Sequence, residues 1–285
     1  MILVAESGST KTEWFLEGKS EAILTKGINP FFLSSSKITE LLSDSDLNGL
    51  CEKVSEVYFF GPGCAYPEHR AIVREGIQQY FHEAKKIFVG HDLEAAAYAL
   101  YDGEPCICGI LGTGSNTCFF DGQDISQATP SLAWILGDEG SGNHMGKRLL
   151  RAWVYKQLPE SLAEELETTY KLTVKDLMDA VYHSPAPANT YLASFMPFIH
   201  EHRSAPAIRA IIDESFHAFF KNHIINYENY QKTPLHLVGS IAHYFREELY
   251  ENAANYGIQI RNILQKPGKN LAKAVLSDQI PVLKE

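Results

Sequence analysis

Residues 2–16 read ILVAESGSTKTEWFL, a short apolar run, a turn rich in glycine and hydroxyl groups, and a second apolar run. Residues 106–120, CICGILGTGSNTCFF, repeat that order. When the two stretches are placed over each other without gaps, Gly8 falls on Gly112. Short apolar runs on both sides of a glycine-containing turn are typical of β-hairpins. The repetition predicts an internal duplication that places two similar domains face to face around a cleft.

The first turn carries groups that bind anions. Gly8 allows backbone N–H groups to approach a phosphate closely, and Lys11 adds a positive charge. Ser9, Thr10 and Thr12 add hydroxyl donors. The turn is not a Walker loop, because that motif continues into a helix and the residues that follow here are strand-like. The alternative interpretation is an exposed hairpin tip without a ligand.

The second turn repeats these properties. Gly112 and Gly114 flank the hydroxyl of Thr113, and Ser115 and Asn116 follow. Two matching turns favour phosphoryl transfer, because that reaction depends on electrostatic stabilisation of the transferring group from several sides. The pair of turns therefore predicts a site for ATP.

Two polar residues in other segments are candidates for substrate binding. Asp92 follows a predicted strand, 87–89, and precedes an alanine-rich helix, at the end of the strand where open α/β sheets place functional groups. It either orients and deprotonates a substrate hydroxyl or serves as a plain N-cap. Asn29 precedes Pro30 in a turn, where its amide either bonds a sugar hydroxyl or makes ordinary turn contacts. Both alternatives are open from these residues alone.

An acidic run, GDEGSG at residues 137–142, stands between a strand-like segment, 133–136, and a predicted helix. Asp138 and Glu139 either face a cation or sugar hydroxyls, or they stabilise the start of the helix through its dipole. The run is therefore a candidate binding segment with a structural alternative.

Composition and charge exclude several classes of protein. The 285 residues carry 25 Lys and Arg against 35 Asp and Glu, a formal charge of -10, which opposes binding to a nucleic-acid backbone. No window approaches the roughly 18 apolar residues of a transmembrane helix, and the N-terminus lacks the basic region of a signal peptide. These features predict a cytoplasmic protein without a nucleic-acid or membrane partner. The five cysteines lack paired zinc-type spacing and are predicted to be buried thiols.

Apolar periodicity alternates between strands and helices, which predicts an α/β fold. Predicted helices span residues 67–84, 93–101 and most of 149–230, with a break at 184–187. The segment Asp102-Gly103-Glu104-Pro105 interrupts the periodicity and is the predicted linker. We therefore predict an N-terminal domain over 1–103 and a C-terminal domain over 104–285, with packing of the last helix back on the N-terminal domain as a variant.

With these motifs in order, the sequence resembles the N-acetylglucosamine kinase branch of the sugar-kinase/Hsp70/actin superfamily, grouped with the BadF/BadG/BcrA/BcrD-type ATPases. Glu6 to Thr12 resembles the first phosphate motif of that family, Gly112 to Asn116 the second, and Val238-Gly239-Ser240 the adenosine motif. The resemblance covers most of the chain, although the segment after Ile258 follows the family pattern only loosely. It implies a two-domain actin-like ATPase fold, a duplicated ribonuclease H-like arrangement with an interdomain cleft.

The resemblance also implies roles for individual residues. Asp92 is the catalytic base, Glu6 organises Mg²⁺ through water, and Gly239 and Ser240 join the two turns in binding ATP. The implied sugar-binding residues are Asn29, Asp92, Asn116 and Asp138. Together they imply a homodimeric kinase of amino-sugar metabolism that transfers the γ-phosphoryl group of ATP to the 6-hydroxyl of N-acetylglucosamine.

Two departures from the family pattern leave alternatives open. The family carries Asp where this chain has Glu6, and Ser131-Leu132-Ala133 stands where the animal enzymes have Gly-Trp-Gly. These departures motivate one alternative, an amino-sugar sensor that has lost catalysis. The other alternative is an activator-type ATPase of the BadF/BcrA kind, in which two subunits share an iron–sulfur cluster. The placement of the cysteines speaks against it.

Overall fold

The computed structural model describes residues 1–8, 11–277, 279–280 and 283, and the chain forms two compact units. The first unit comprises Met1–Glu104, Phe120–Ile125 and Lys266–Glu285, and the second comprises Pro105–Phe119 and Ser126–Gln265. The domain ranges 1–103 and 104–285 stay a prediction.

The first unit is built on a five-stranded sheet. Its strands are β1 (Ile2–Ser7), β2 (Lys11–Leu16), β3 (Ile23–Lys26), β4 (Glu56–Gly61) and β5 (Lys86–His91). They lie in the order β3-β2-β1-β4-β5, in which β1, β4 and β5 run parallel and β2 is antiparallel to both of its neighbours. The helices α1 (Ser35–Ser43), α2 (Pro67–Tyr80) and α3 (Asp92–Leu100) connect these strands or follow them. β1 and β4 are buried along most of their length, as expected for parallel strands covered on both faces.

The second sheet repeats this topology. Its strands are β6 (Cys106–Leu111), β7 (Ser115–Phe120), β8 (Ile125–Ser126), β9 (Leu235–Val238) and β10 (Ile260–Leu264). They lie in the order β10-β9-β6-β7-β8, and β6, β9 and β10 run parallel. Numbered from its own first strand, each sheet therefore has the same order, with the third, second, first, fourth and fifth strands side by side. This shared order confirms the predicted duplicated α/β fold.

Most of the second unit is helical, as the periodicity predicts. Its helices are α4 (Ala133–Leu136), α5 (Gly142–Val154), α6 (Glu160–Tyr170), α7 (Val174–Tyr182), α8 (Ala188–Ala193), α9 (Met196–Glu201), α10 (Pro206–Phe219) with a π-helical turn at Phe220–Ile224, α11 (Ser240–Tyr244) and α12 (Arg246–Ala254). The predicted break at 184–187 separates α7 from α8. A last helix, α13 (Gly268–Leu276), packs against α3 and β1 of the first unit. Among the described helices, none has both the length and the apolar character needed to cross a membrane.

Each unit has its own apolar core. In the first unit, the ring of Trp14 packs against Phe59 and Phe81, with ring centroids 6.1 and 6.4 Å away. In the second unit, buried aromatic and aliphatic residues of α5, α9 and α10 form the core with β6 and β9. Of the five cysteines, Cys51 is partly exposed, and the other four are buried. The prediction of buried thiols is confirmed for those four.

Two local predictions are wrong. The strand-like segment 133–136 is the single helical turn α4, closed by a hydrogen bond from the Gly137 N–H to the Ala133 carbonyl at 2.8 Å. An apolar run of four residues does not distinguish a strand from a helix, and no strand pairs with this one within the described part of the second sheet. The helix predicted to reach residue 84 ends at Tyr80, because Phe81 leaves the helix and enters the core.

Candidate active site

The candidate residues of the first unit lie where its parallel strands end. β1 contains Glu6 and ends at Ser7, directly before Gly8. β5 ends at His91, directly before Asp92. The carboxyl edge of parallel strands is where open α/β sheets bind ligands, because the loops there leave a crevice. The fold therefore brings two carboxylates and the first turn to one edge of the sheet.

The carboxyl group of Glu6 lies in a repulsive environment. Burial raises its pKa, and the neighbouring carboxylates of Glu13 and Asp92 raise it further, whereas Lys11 and Lys266 lower it. The result is a pKa of about 7. This position therefore favours a bound proton or a bound cation.

Two lysines beside the first turn share one carboxylate. The Nζ atoms of Lys11 and Lys266 lie 2.7 and 3.2 Å from Oε1 of Glu13. The hydrogen bond to Glu13 raises the pKa of Lys11 above its ordinary value, so this lysine is charged at neutral pH. Positive charge is thus available next to Gly8 for an anionic ligand.

Asp92 is the first residue of α3, and the alternative that it is a plain N-cap is wrong. His91 is the N-cap, because its Nδ1 accepts the Leu93 N–H at 3.4 Å while Glu94 accepts the His91 N–H at 2.5 Å. Oδ1 of Asp92 lies 3.0 Å from Nδ1 of His91. With Nδ1 accepting the Leu93 N–H, His91 has no proton there for Asp92, and when His91 is protonated this contact is an ion pair.

The carboxylate of Asp92 therefore has unused capacity as an acceptor. Its Oδ1 is buried, and no group in the described part of the chain donates a hydrogen bond to it. The side chain as a whole is 32% exposed, so a ligand reaches the carboxylate through its exposed part and not at Oδ1. The exposed part is suited to accept a hydrogen bond from a substrate hydroxyl.

An arginine fixes the start of α3 beside Asp92. Nη2 of Arg70 lies 2.8 Å from Oε2 of Glu94, and its Nε donates to the Cys64 carbonyl at 2.7 Å. Glu94 in turn accepts the backbone N–H of His91. The loop after β4 and the N-terminus of α3 are thus held by one network of charged hydrogen bonds.

Asn29 is positioned by a serine of β1. The Ser7 hydroxyl accepts the Ile28 N–H at 2.9 Å and lies 3.1 Å from the Ile28 carbonyl, which places Asn29 beside the first turn. Oδ1 of Asn29 accepts the Phe31 N–H at 3.0 Å, an ordinary turn contact, and within the described ranges its amide NH₂ group makes no hydrogen bond and can face a ligand. The Thr12 hydroxyl lies 2.9 Å from that of Ser7 and is buried. Both interpretations of Asn29 are therefore compatible with one geometry.

In the second unit, the second turn and the acidic run form one structure. The Gly142 N–H donates to the Gly112 carbonyl at 2.9 Å, and the Asn143 N–H donates to the Thr113 carbonyl at 3.0 Å. The first N–H groups of α5 are thereby used by the turn. No described atom lies within 4 Å of where a Cβ on Gly112 would stand, so this part of the turn is open to a ligand.

Asp138 is held against the second turn by Asn143. Nδ2 of Asn143 donates to Oδ2 of Asp138 and to the Thr113 carbonyl, each at 2.7 Å. A Cβ on Gly114 would lie 2.7 Å from the same carboxylate oxygen, so the close approach requires glycine. Burial raises the pKa of Asp138, and the hydrogen bond from Asn143 partly opposes that change. The backbone of Asp138 has a φ of 58°, a conformation unusual for a residue with a side chain.

Glu139 is already occupied by other side chains. Its carboxylate accepts hydrogen bonds from Asn222 at 2.8 Å and from His223 at 3.0 Å. Its backbone carbonyl accepts the Ser115 hydroxyl at 2.8 Å. Of the two acids in the run, Glu139 therefore stabilises the loop.

The predicted adenosine motif lies against the end of β6. Gly239 has a φ of +124°, and a Cβ there would stand 2.2 Å from the Leu111 carbonyl oxygen. Only glycine fits this position. Ser240 is exposed as the first residue of α11, and Oδ1 of Asn116 accepts the Thr117 N–H at 2.9 Å.

The structure thus groups the predicted residues within each unit. The first unit groups Glu6, Gly8, Lys11, Thr12, Asn29 and Asp92, and the second groups Gly112, Thr113, Gly114, Ser115, Asn116, Asp138, Gly239 and Ser240. Ser9 and Thr10 lie outside the described residues. The binding roles of all these residues stay predictions.

Sequence reasoning missed several supporting residues. Glu94 had a local signal, because an acid three residues after an N-cap is part of a capping box. Asn143 and Lys266 had none, since their partners become neighbours only in the folded chain.

The residues present fit Mg²⁺ that arrives with a nucleotide. Among the described residues, no group of three or more His, Cys, Asp or Glu side chains is placed to hold a metal ion. Mg²⁺ is usually bound by one or two carboxylates together with substrate phosphates and water, rather than by a protein cage. The burial of Glu6 and its repulsion by Glu13 and Asp92 are what a divalent cation would relieve.

Solved structures similar to this chain include candidate sugar kinases and an MreB protein. A candidate N-acetylglucosamine kinase from Porphyromonas gingivalis is 34% identical with a TM-score of 0.92, over 98% of this chain and 100% of that one. A candidate N-acetylglucosamine kinase from Chromobacterium violaceum is 13% identical with a TM-score of 0.68, over 96% and 98%. MreB 5 of Spiroplasma citri bound to AMPPNP is 9% identical with a TM-score of 0.56, over 99% and 96%.

The second and third similarities concern the fold alone, and they confirm the two-domain actin-like prediction. No protein-family model matches the sequence, and a search of curated proteins finds no significant match. The similarity to the Porphyromonas protein extends over nearly the whole of both chains.

Proposed function

The chain belongs to the N-acetylglucosamine kinase family of ATP-dependent sugar kinases, and from this premise we propose that it phosphorylates N-acetylglucosamine at the 6-hydroxyl. The observation that carries the proposal is Asp92, a carboxylate at the carboxyl edge of the sheet whose side chain is 32% exposed. The exposed part of this carboxylate accepts a hydrogen bond from a hydroxyl of the substrate.

In the proposed reaction, Asp92 accepts a hydrogen bond from the sugar 6-hydroxyl and orients its oxygen towards ATP. That oxygen bonds to the γ-phosphorus as the bond between the γ-phosphorus and the ADP oxygen breaks, and the hydroxyl proton passes to Asp92. The transition state of such transfers is loose, so an ionised carboxylate accepts the proton late. The position of Asp92 therefore matters more for the reaction than its basicity.

Positive charge stabilises the phosphates in this proposal. Lys11 and Lys266 contribute charge beside the first turn. The open space beside Gly112 leaves room for a phosphate at the second turn, where the Gly112 N–H itself donates to the Gly114 carbonyl at 3.0 Å. Glu6 would hold Mg²⁺ through water. When bound, the ion neutralises charge on the β- and γ-phosphates.

Sugar recognition is assigned to amides and one carboxylate. Asn29 offers its NH₂ group in the first unit, and Asn116 and Asp138 offer polar atoms in the second. Rigid positioning of such groups raises the effective concentration of the reacting hydroxyl. The homodimer, the cytoplasmic location and the role in amino-sugar metabolism belong to the same proposal and rest on the sequence.

A coupled assay of ADP release, run across hexoses, hexosamines and N-acetylhexosamines, tests the proposal. We expect N-acetylglucosamine to give the highest kcat/KM, and phosphorus NMR of the product to show a 6-phosphate. ATP without sugar is the control.

Sugar binding without ADP release would instead indicate a sensor. Sugar-independent hydrolysis, together with visible absorption of the anaerobically purified protein, would indicate the activator-type ATPase.

A further inference from the structure

Beside Asn29, the first unit displays a group of rings that the proposed reaction does not use. We call Phe31, Tyr66 and His69 the aromatic cluster. Phe31 is 61% exposed and Tyr66 is 58% exposed, although both are large apolar side chains. Exposed apolar groups concentrated in one place, next to polar ones, mark binding surfaces more often than isolated exposed residues do.

The rings of the aromatic cluster are fixed relative to one another. The rings of Phe31 and His69 meet edge to face with centroids 4.5 Å apart, and Tyr66 meets His69 in the same manner at 5.9 Å. Nδ1 of His69 lies 3.0 Å from the Gly63 carbonyl, which sets the orientation of the imidazole. Edge-to-face contacts of this kind are favourable, so the exposed rings are ordered before any ligand arrives.

The aromatic cluster is joined to the predicted sugar-binding amide. The Phe31 N–H donates to Oδ1 of Asn29, and a Cβ on Gly63 would stand 2.6 Å from that oxygen and 2.9 Å from the Phe31 ring. Gly63 also has a φ of +78°, so glycine is required there for two reasons. Asn29 and Phe31 therefore form one surface.

The same surface is connected to the start of α3. The loop that follows β4 contains Gly63 and Cys64, and Arg70 bridges the Cys64 carbonyl to Glu94. Glu94 accepts the N–H of His91, the residue before Asp92. The aromatic cluster thus stands at the edge of the sheet that carries Asp92.

The chemistry of a pyranose matches this surface. Its hydroxyls form a polar rim, whereas the C–H bonds on each face of the ring are apolar and carry slight positive charge. The negative face of an aromatic ring attracts such C–H groups, and a neighbouring amide bonds the hydroxyls. Binding sites typically combine apolar walls with a few polar groups of this kind.

We propose that Phe31, oriented by His69 and Tyr66, stacks on the apolar C–H face of the amino sugar whose hydroxyl Asn29 binds. Phe31 is then a specificity-determining residue and His69 a positioning residue. The inference rests on the proposed function, because it names a further contact to the same substrate.

The matched test compares Phe31→Ala with Phe32→Ala. Phe32 is adjacent and 73% exposed, but it has no ring contact among the described residues. We expect Phe31→Ala to raise the KM for N-acetylglucosamine about five- to tenfold, the size of an aromatic contact, with kcat and the KM for ATP within about twofold. Phe31→Tyr should restore the KM, His69→Ala should raise it without lowering kcat, and Phe32→Ala should change nothing.

A binding measurement without catalysis gives a second reading. Phe31→Trp and Phe32→Trp each add one indole to the three native tryptophans. N-acetylglucosamine should shift the added fluorescence of Phe31→Trp in a saturable way and leave that of Phe32→Trp unchanged.

Two failures can be told apart. If the wild type phosphorylates no amino sugar, the proposed function is wrong. If the wild type is active while Phe31→Ala and Phe32→Ala have the same sugar KM, only the stacking inference is overturned. An equal response of both tryptophan variants would also overturn it, because it would show that the sugar does not contact position 31 in particular.

Discussion

The two units share a strand order but give their carboxylates different partners. In the first unit, burial and the carboxylates of Glu13 and Asp92 raise the pKa of Glu6, and Oδ1 of Asp92 has no hydrogen-bond partner among the described residues. In the second unit, Asp138 accepts a hydrogen bond from Asn143 and Glu139 accepts two from neighbouring side chains. Duplication thus produced two similar turns with different electrostatics.

The difference indicates a division of labour. Unsatisfied carboxylates raise the free energy of the folded protein until a cation, a proton or a hydroxyl binds, so they are suited to chemistry. Satisfied carboxylates are rigid and suited to holding a substrate in place. Substitutions of carboxylates in the first unit should therefore affect turnover most, and substitutions in the second unit should affect sugar binding most.

The largest effect is expected from Asp92→Asn. An amide neither accepts the hydroxyl proton nor orients the oxygen through charge, so we expect kcat to fall by about 10²- to 10⁴-fold. ATP affinity, measured by calorimetry, should change less than about threefold. Asp124→Asn, at an exposed acid of the first unit, is the control.

If Asp138→Asn lowered kcat further than Asp92→Asn does, the proposed division of roles between the carboxylates of the two units would be refuted. Retained turnover in Asp92→Asn would remove the assignment of the base.

Glu6→Gln should change stability in a pH-dependent way. Because the pKa of Glu6 rises from 4.5 in the unfolded chain to about 7 in the fold, its contribution is most favourable below pH 4.5 and is lost as the pH rises to about 7. Glutamine carries no charge at any of these pH values. Above pH 7 the variant should therefore be more stable than the wild type by about 3 kcal/mol, with no difference near pH 4.

Urea unfolding at several pH values between 4 and 8 measures this difference, with Glu21→Gln, an exposed site, as the control. If the free energy of unfolding of Glu6→Gln and of the wild type changed equally with pH, Glu6 would not have the raised pKa from which this prediction follows.

Asn143→Ala is expected to have a smaller effect, on positioning. It removes the hydrogen bonds that join Asp138 to the second turn and leaves a buried carboxylate without that donor. Stability should fall by about 1–3 kcal/mol, and the sugar KM should rise about tenfold with a smaller change in the KM for ATP. Asn48→Ala, at an exposed asparagine, is the control. A sugar KM equal to that of the wild type would argue that Asp138 does not contact the sugar.

Local sequence patterns were sufficient for the duplicated hairpins, the helical second half and the position of Asp92 at a strand end. Each depends on periodicity or on a glycine-rich turn within a few residues, and such signals survive in a single sequence. The same patterns failed at 133–136 and at the N-cap of α3, where a short apolar run and a neighbouring histidine had equally plausible alternatives.

The sequence by itself determined the duplicated α/β architecture, the two turns and the acidic run, because strand and turn preferences are local. Only the tertiary structure decided that the pKa of Glu6 is raised, that Asn143 donates a hydrogen bond to Asp138 and that the ring of Phe31 is ordered beside Asn29. Burial and charge sum over residues distant in the chain, such as Glu6, Asp92 and Lys266, and no local pattern records that sum.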